Sequence, residues 1–410
     1  MIDTMNETFS QVFRLLRNAL FPDAEEPLEY LDNWTAVFEE MQAQTVAALP
    51  YLWLKDQKEL NKRAEYATWL IYCFQTQAQW GRVMHGQSQL LALLQENQID
   101  CVILKGAAAG MAYPHPPLRS MGDVDFLVKR CDRDRAARVL EENGYCLKQK
   151  DGKYHHYEYS KNGIVYELHW RLSLINESNE RLLSLFEEGI ANREIRNIGT
   201  FSFPVLPAAL NGLVLVFHIN DHLRSGLGLR QIIDWMMYVN QLPDNVWNEK
   251  LRPLLRETGK EKLALYVTAM CQRYLGLSKE LDGCETVDIK LCNELMGFIM
   301  KMGNFGRKSE ATTGKVAFVY RDLSNPIRVL KRLQEGGLYR WNAAKEHAIL
   351  RPFAWIYQIC SIIRELKRSG ISIKTLLYQR KQGIWRRKMF NELGLQGHDG
   401  TQSTGELFRN

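Results

Sequence analysis

The sequence predicts an α+β protein: a small α/β core flanked by N-terminal helices and followed by a large C-terminal helical region. Three observations carry this. Apolar residues recur at helical spacing through residues 1–97, short β-branched or alternating runs separated by glycine turns occupy 98–206, and helical spacing returns over 207–390, before a polar tail at 391–410.

The elements follow in order. Phe9, Val12, Phe13, Leu15 and Leu16 form one helical stripe, and Trp34, Val37, Phe38 and Met41 a second, after the cap candidates Asp32 and Asn33. A long helical run from Asn61 to Gln95 places Trp69, Tyr72, Cys73, Leu90, Leu91 and Leu94 on its apolar positions, with Gly86 a possible division. The period then changes. Cys101–Leu104 reads as a strand ended by Lys105-Gly106, and alanine-rich Ala107–Tyr113 as a short helix closed by Pro114, Pro116 and Pro117. Val124–Val128 is a second strand, and Asp132–Asn143 an amphipathic helix stopped by Gly144. Tyr145–Gln149 and Tyr154–Ser160 read as strands around an Asp151-Gly152 turn, and Ile164–Trp170 as a further strand after Asn162-Gly163. Breaks in the helical region fall at Leu242-Pro243-Asp244, Leu281-Asp282-Gly283 and Ser324-Asn325-Pro326, and Gly303-Asn304-Phe305-Gly306 is a loop.

Composition excludes several classes. With 46% hydrophobic and 24% charged residues among 410, the chain has ample core material and no disordered or collagenous bias. Eight cysteines without any C-x-x-C pair imply neither a disulfide frame nor a zinc knuckle. The N-terminus lacks a basic segment followed by an apolar one, and the most apolar later stretch, Ile349–Ile363, is interrupted by Arg351, Pro352 and Gln358. A cytoplasmic protein without a membrane span is expected. The net charge of +6 is concentrated between Ser361 and Phe390, where nine Lys/Arg face one Glu. A solvated helical end accounts for that run better than a nucleic-acid surface, given the modest total charge.

The chemistry concentrates in Leu104-Lys105-Gly106, Arg119 and Asp123-Val124-Asp125. Two aspartates two residues apart share one face of a strand, and a divalent cation is the simplest partner for such like charges. Glu167 and His169 share a face of a later strand in the same way. If the two strands are neighbours, three carboxylates converge, as two-metal nucleotidyl transfer requires. Asp123, Asp125 and Glu167 are therefore the candidate catalytic and metal-binding residues, Glu167 also assisting deprotonation of the nucleophile. Lys105 and Arg119 would lend charge to a triphosphate, and Gly106 would let it approach the backbone. His169 is expected to support a neighbouring side chain. Of the helical pairs His218/His222 and Arg230/Asp234, His218 and Arg230 are expected near the site, and His222 and Asp234 in packing. Tyr154-His155-His156-Tyr157 could bring one histidine near the acids, although an exposed strand is the plainer expectation. The tryptophans are expected to be mainly core anchors.

Taken together, Leu104-Lys105-Gly106, Arg119-x-x-x-Asp123-x-Asp125, Glu167-Leu168-His169-Trp170 and His218 … His222 … Arg230 … Asp234 resemble the uncharacterised bacterial nucleotidyltransferase family of the polymerase-β-like superfamily, over residues 34–306. The resemblance implies a mixed sheet with helices on one face, Mg²⁺ (or Mn²⁺) dependence and an NTP donor. It supplies no acceptor, for which a small molecule, peptide or protein is favoured over nucleic acid. Ala107 departs from the wider superfamily, which has Ser or Gly after the glycine. That departure keeps open a catalytically inactive nucleotide-binding or scaffold protein.

Overall fold

The N-terminal helices form where their apolar spacing places them. The computed structural model describes residues 7–21, 33–56, 64–149, 156–304 and 326–368, with Trp385 and 388–395. The expected Asp151-Gly152 turn, Tyr154, His155, Phe305-Gly306, Ser324-Asn325, most of the basic run after Arg368 and all but the first five residues of the polar tail lie outside these residues. The chain divides into two compact units, Met1–Phe305 and Gly306–Asn410.

In the first unit, α1 (Glu7–Leu20) buries Val12, Phe13, Leu15 and Leu16. Asn33 caps α2 (Trp34–Ala43) by accepting from the Ala36 amide, one of the donors a helix start leaves without a partner. α3 (Tyr51–Asp56) is short, and α4 (Ala64–Glu96) runs unbroken through Gly86. That glycine does not divide the helix. It lets the helix lie against the sheet, since a Cβ there would fall 2.7 Å from Ile164 Cδ1 and closer still to Tyr166 Oη. Gly86→Ala should therefore destabilise the protein by about 1–3 kcal/mol through overpacking, read as a lower denaturant midpoint, although alanine is the better helix former.

Seven strands follow among shorter helices: β1 (Cys101–Leu104), α5 (Gly106–Gly110), β2 (Asp123–Val128), α6 (Arg133–Glu142), β3 (Cys146–Gln149), β4 (His156–Lys161), β5 (Ile164–His169), α7 (Glu180–Ala191), β6 (Glu194–Ile198) and β7 (Phe201–Val205). They form one mixed sheet in the order β3-β4-β5-β2-β1-β7-β6. β2, the central strand, pairs antiparallel to β1 and parallel to β5. Its alternate residues Val124, Phe126 and Val128 join Val83, Met84, Leu90 and Leu94 of α4 and Ala136, Val139 and Leu140 of α6 in one core. The period of two then sends Asp123 and Asp125 to the other face.

The sheet is larger than its sequence signal. β6 and β7 were not expected, because Glu194–Ile198 is a mostly polar edge strand and Pro204 interrupts the alternation of its partner. α7 was likewise not foreseen, although Asn179 caps it by accepting from Leu182 N at 3.2 Å.

Helices α8 (Ala208–Ser225) and α9 (Leu229–Gln241) come next, then α10 (Asp244–Val246), a π turn at Trp247–Leu251, α11 (Arg252–Glu257), α12 (Glu261–Leu275) and α13 (Ile289–Met302). The start of α9 is anchored by buried polar groups. Gln44 Oε1 accepts from Leu229 N at 3.1 Å, and Gln231 Nε2 donates to Asn304 Oδ1 at 3.0 Å. This gives Asn304 a role in the expected Gly303–Gly306 loop. Gly228 is glycine for the same reason, since a Cβ would lie 2.8 Å from Asn304 Cβ.

In the second unit, helices Pro326–Arg340 and Ala354–Arg368 pack together, Gly337 lying against the Ala354 carbonyl and Trp341 stacking on Tyr357 at 5.1 Å. No helix among the described residues is long and apolar enough to cross a membrane. All eight cysteines are free thiols.

Candidate active site

Strand register assembles the acids. Asp125 lies opposite Leu104 of β1 on one side and Glu167 of β5 on the other, so the two carboxylates leave neighbouring strands on one face. Lys105, at the end of β1, reaches back over that face: its Nζ is 2.7 Å from Asp125 Oδ1 and 4.0 Å from Glu167 Oε2. The turn that aims it is strained, because Lys105 holds φ +45°, ψ −125°, a region glycine ordinarily fills. His169 Nε2 is 3.1 Å from both Asp125 Oδ1 and Glu167 Oε2. The three sequence-distant groups Lys105, Asp125 and Glu167 therefore meet, and His169 bridges the two acids.

Charge balance follows from this packing. Burial pushes the Glu167 carboxyl up, but the His169 hydrogen bond and the Lys105 charge outweigh it and hold the group well below the usual carboxylate range. Burial opposes the charged forms of Lys105 and His169, yet the same two acids raise both. Asp123, half-buried beside Asp125, goes the other way: burial and then repulsion from Asp125 raise its pKa against the lowering charges of Arg230 and Lys105.

Arg119, expected at the phosphates, is committed elsewhere. Its Nε and Nη2 donate to Asp234 Oδ1 and Oδ2 at 2.7 and 2.6 Å, and Tyr113 Oη donates to the same carboxylate at 2.7 Å. Arg119 and Asp234 are 3% and 1% exposed, so this is a buried ion pair. With Gln241 donating to Ala112 O, and Arg230 and Arg119 both donating to Ser120 O, it ties α9 to the proline-rich segment that delivers β2. Gly106 is buried at the start of α5, where a Cβ would make only ordinary contacts with Met121 Cε at 3.6 Å and Asp123 O at 3.9 Å, so packing alone does not demand glycine.

His218 and His222 stack edge to face on α8, their ring centroids 4.5 Å apart. Both are kept neutral, His218 by burial and the neighbouring His222, and His222 by burial and the charge of Arg230, which take it from 6.5 to about 4. An imidazole whose folded pKa is depressed binds its proton later than in the unfolded chain, so stability falls as pH drops from about 6.5 towards 4. His222→Gln should flatten that part of the stability–pH curve, measured by denaturant unfolding at a series of pH values.

His156, only glimpsed in the sequence, is brought to the site by β4, where it lies opposite His169 with ring centroids 5.0 Å apart. Glu158, which sequence reasoning missed, lies opposite Glu167. The alternation His156-Tyr157-Glu158-Tyr159 is the signal for both, and it does not reveal which strand pairs with it.

The donors suit a hard divalent cation. Asp123, Asp125 and Glu167 offer carboxylate oxygens from adjacent strands, and the Lys105 ammonium lies beside two of them.

Acids and bases gathered on one face of a mixed sheet are the kind of site that nucleotidyl-transfer proteins present. The chain belongs to the family described as uncharacterised nucleotidyltransferase, whose sequence model matches residues 31–276. A crystal structure of an antigenic nucleotidyltransferase-like protein from Paracoccidioides brasiliensis is similar at 14% identity, covering 48% of this chain and 92% of that chain with a TM-score of 0.31. No curated protein matches the chain.

Proposed function

We propose that the protein is a metal-dependent nucleotidyltransferase that moves a nucleoside monophosphate from an NTP to an acceptor, with a small molecule, peptide or protein hydroxyl favoured. The observation that carries this is the alignment of Asp125 with Glu167 across β2 and β5, with Asp123 on the same face and Lys105 between them. The acceptor hydroxyl oxygen attacks the α-phosphorus and loses its proton to solvent water, a new O–P bond forms, the bond from the α-phosphorus to the α–β bridging oxygen breaks and pyrophosphate leaves.

Asp123, Asp125 and Glu167 would hold Mg²⁺ or Mn²⁺, which when bound activates the acceptor oxygen and neutralises the leaving pyrophosphate. The depressed Glu167 pKa suits a ligand better than a base, because a carboxylate so stabilised has little affinity for a proton. With a cation held by the acids, the Lys105 ammonium, 2.7 Å from Asp125 Oδ1, would be free to turn to the phosphates, and Gly106 keeps the adjoining backbone free of a side chain. Arg230, whose Nη1 reaches Ser120 O at 3.3 Å, is the second phosphate-facing cation, with His218 beside it. Arg119 acts as a positioning residue through Asp234.

The lysine's own position favours one alternative, a non-catalytic nucleotide-binding or scaffold protein in which Lys105 takes the cation's place permanently. Incubation of the full chain with each labelled NTP, Mg²⁺ and a lysate fraction separates the two. Transfer of label with pyrophosphate release is expected, whereas saturable NTP binding without pyrophosphate would establish the scaffold.

A further inference from the structure

We propose that His156, His169 and Glu167 form a binding site for one Zn²⁺-like first-row transition-metal ion, distinct in donor chemistry from the all-oxygen site above. His156 and His169 are directly opposed on antiparallel strands, and Glu167 is two residues before His169, so all three leave one face of the sheet. One donor atom from each lies within 4.8 Å of the other two. Bonds of roughly 2.0–2.2 Å to imidazole nitrogen and carboxylate oxygen place tetrahedral donors about 3.4 Å apart. His169 Nε2 and Glu167 Oε2 are already 3.1 Å apart, so side-chain rotation on a fixed ladder closes the set.

The backbone makes that ladder firm. The β4–β5 register is continuous from His156 opposite His169 to Lys161 opposite Ile164. Two nitrogens and one oxygen suit zinc-like ions, whereas Mg²⁺ selects oxygen donors and retains its waters. Three protein donors leave a fourth position open for water or a substrate oxygen. Asp125 Oδ1, 3.1 Å from the His169 nitrogen, adds negative charge alongside. Glu167 belongs to both donor sets, so Zn²⁺ bound here would draw it away from the Mg²⁺ ligands and oppose the transfer reaction.

The test needs no nucleotide, so it stands or falls apart from the transfer reading. Full-length protein stripped with chelator should bind one Zn²⁺ per chain by calorimetry and retain it in a large excess of Mg²⁺. His156→Ala and the more conservative His156→Gln should each weaken that binding by at least the roughly 10–100-fold that losing an outer-shell partner costs, with circular dichroism reporting the fold. Pulsed electron paramagnetic resonance of Cu²⁺ bound to the wild-type chain should detect two coordinated imidazoles, a readout that does not depend on either variant folding. Unchanged Zn²⁺ affinity in folded His156 variants, displacement by Mg²⁺, or fewer than two imidazoles on Cu²⁺ would overturn the site. Asp123→Asn should leave Zn²⁺ binding intact, so loss of transfer with retained Zn²⁺ binding separates the two functions.

Discussion

Asp123→Asn should lower Mg²⁺-dependent NTP turnover by about a thousandfold or more, equivalent to ~4 kcal/mol of transition-state stabilisation, while leaving the fold intact. The two halves of this expectation have separate causes. A neutral amide is a poor ligand for a hard cation, so the charge proposed to hold an ion beside Asp125 is lost. In the protein without metal, Asp123 is instead a liability, since burial and the adjacent Asp125 already push its pKa up. Removing its charge relieves that repulsion, and thermal unfolding without metal should give a midpoint equal to or above wild type. Undiminished turnover would remove Asp123 from the metal site; a large drop in unfolding midpoint would mean that the carboxylate supports the fold instead.

Asp234→Ala should be the most destabilising single change at the site, at about 3–5 kcal/mol, because it strands a buried guanidinium. Arg119 is 3% exposed and has both Nε and Nη2 on that carboxylate. Tyr113 would lose its partner too. The double variant Arg119→Met/Asp234→Leu should recover most of the loss, since a buried pair replaced by apolar groups of similar volume leaves no uncompensated charge. Denaturant unfolding of the two variants checks both parts. Equal losses in the single and double variants would mean that packing, not charge, dominates this position. Activity should fall with Asp234→Ala as well, because the proline-rich segment anchored by Arg119 leads directly into the strand carrying Asp123 and Asp125.

Much of this was legible in the chain. Asp123 and Asp125 could be placed on one strand face because a period of two follows from the backbone alone, and Phe126 and Val128 mark the buried side. The cap at Asn33 and the stop at Gly144, which has φ +78°, are local in the same sense. The polar edge strand β6 was not legible, since nothing in Glu194–Ile198 carries an apolar alternation. Neither was the unbroken course of α4, where Gly86 looked like a divider and proved to be a close approach to Tyr166.

The partners of the charged residues divide similarly. Residue type and spacing singled out Arg119 and Glu167 as candidate site residues. That Arg119 faces Asp234, 115 residues away, and not the acids, was not. The sequence by itself determined the elements and which side chains share a face, because covalent geometry sets the helical and strand periods residue by residue. Tertiary structure alone decided that β2 and β5 are parallel neighbours, that His156 joins His169, and which cation each carboxylate holds. Those outcomes depend on strand order and helix docking, where many segments bury apolar surface at once and no local pattern encodes the choice.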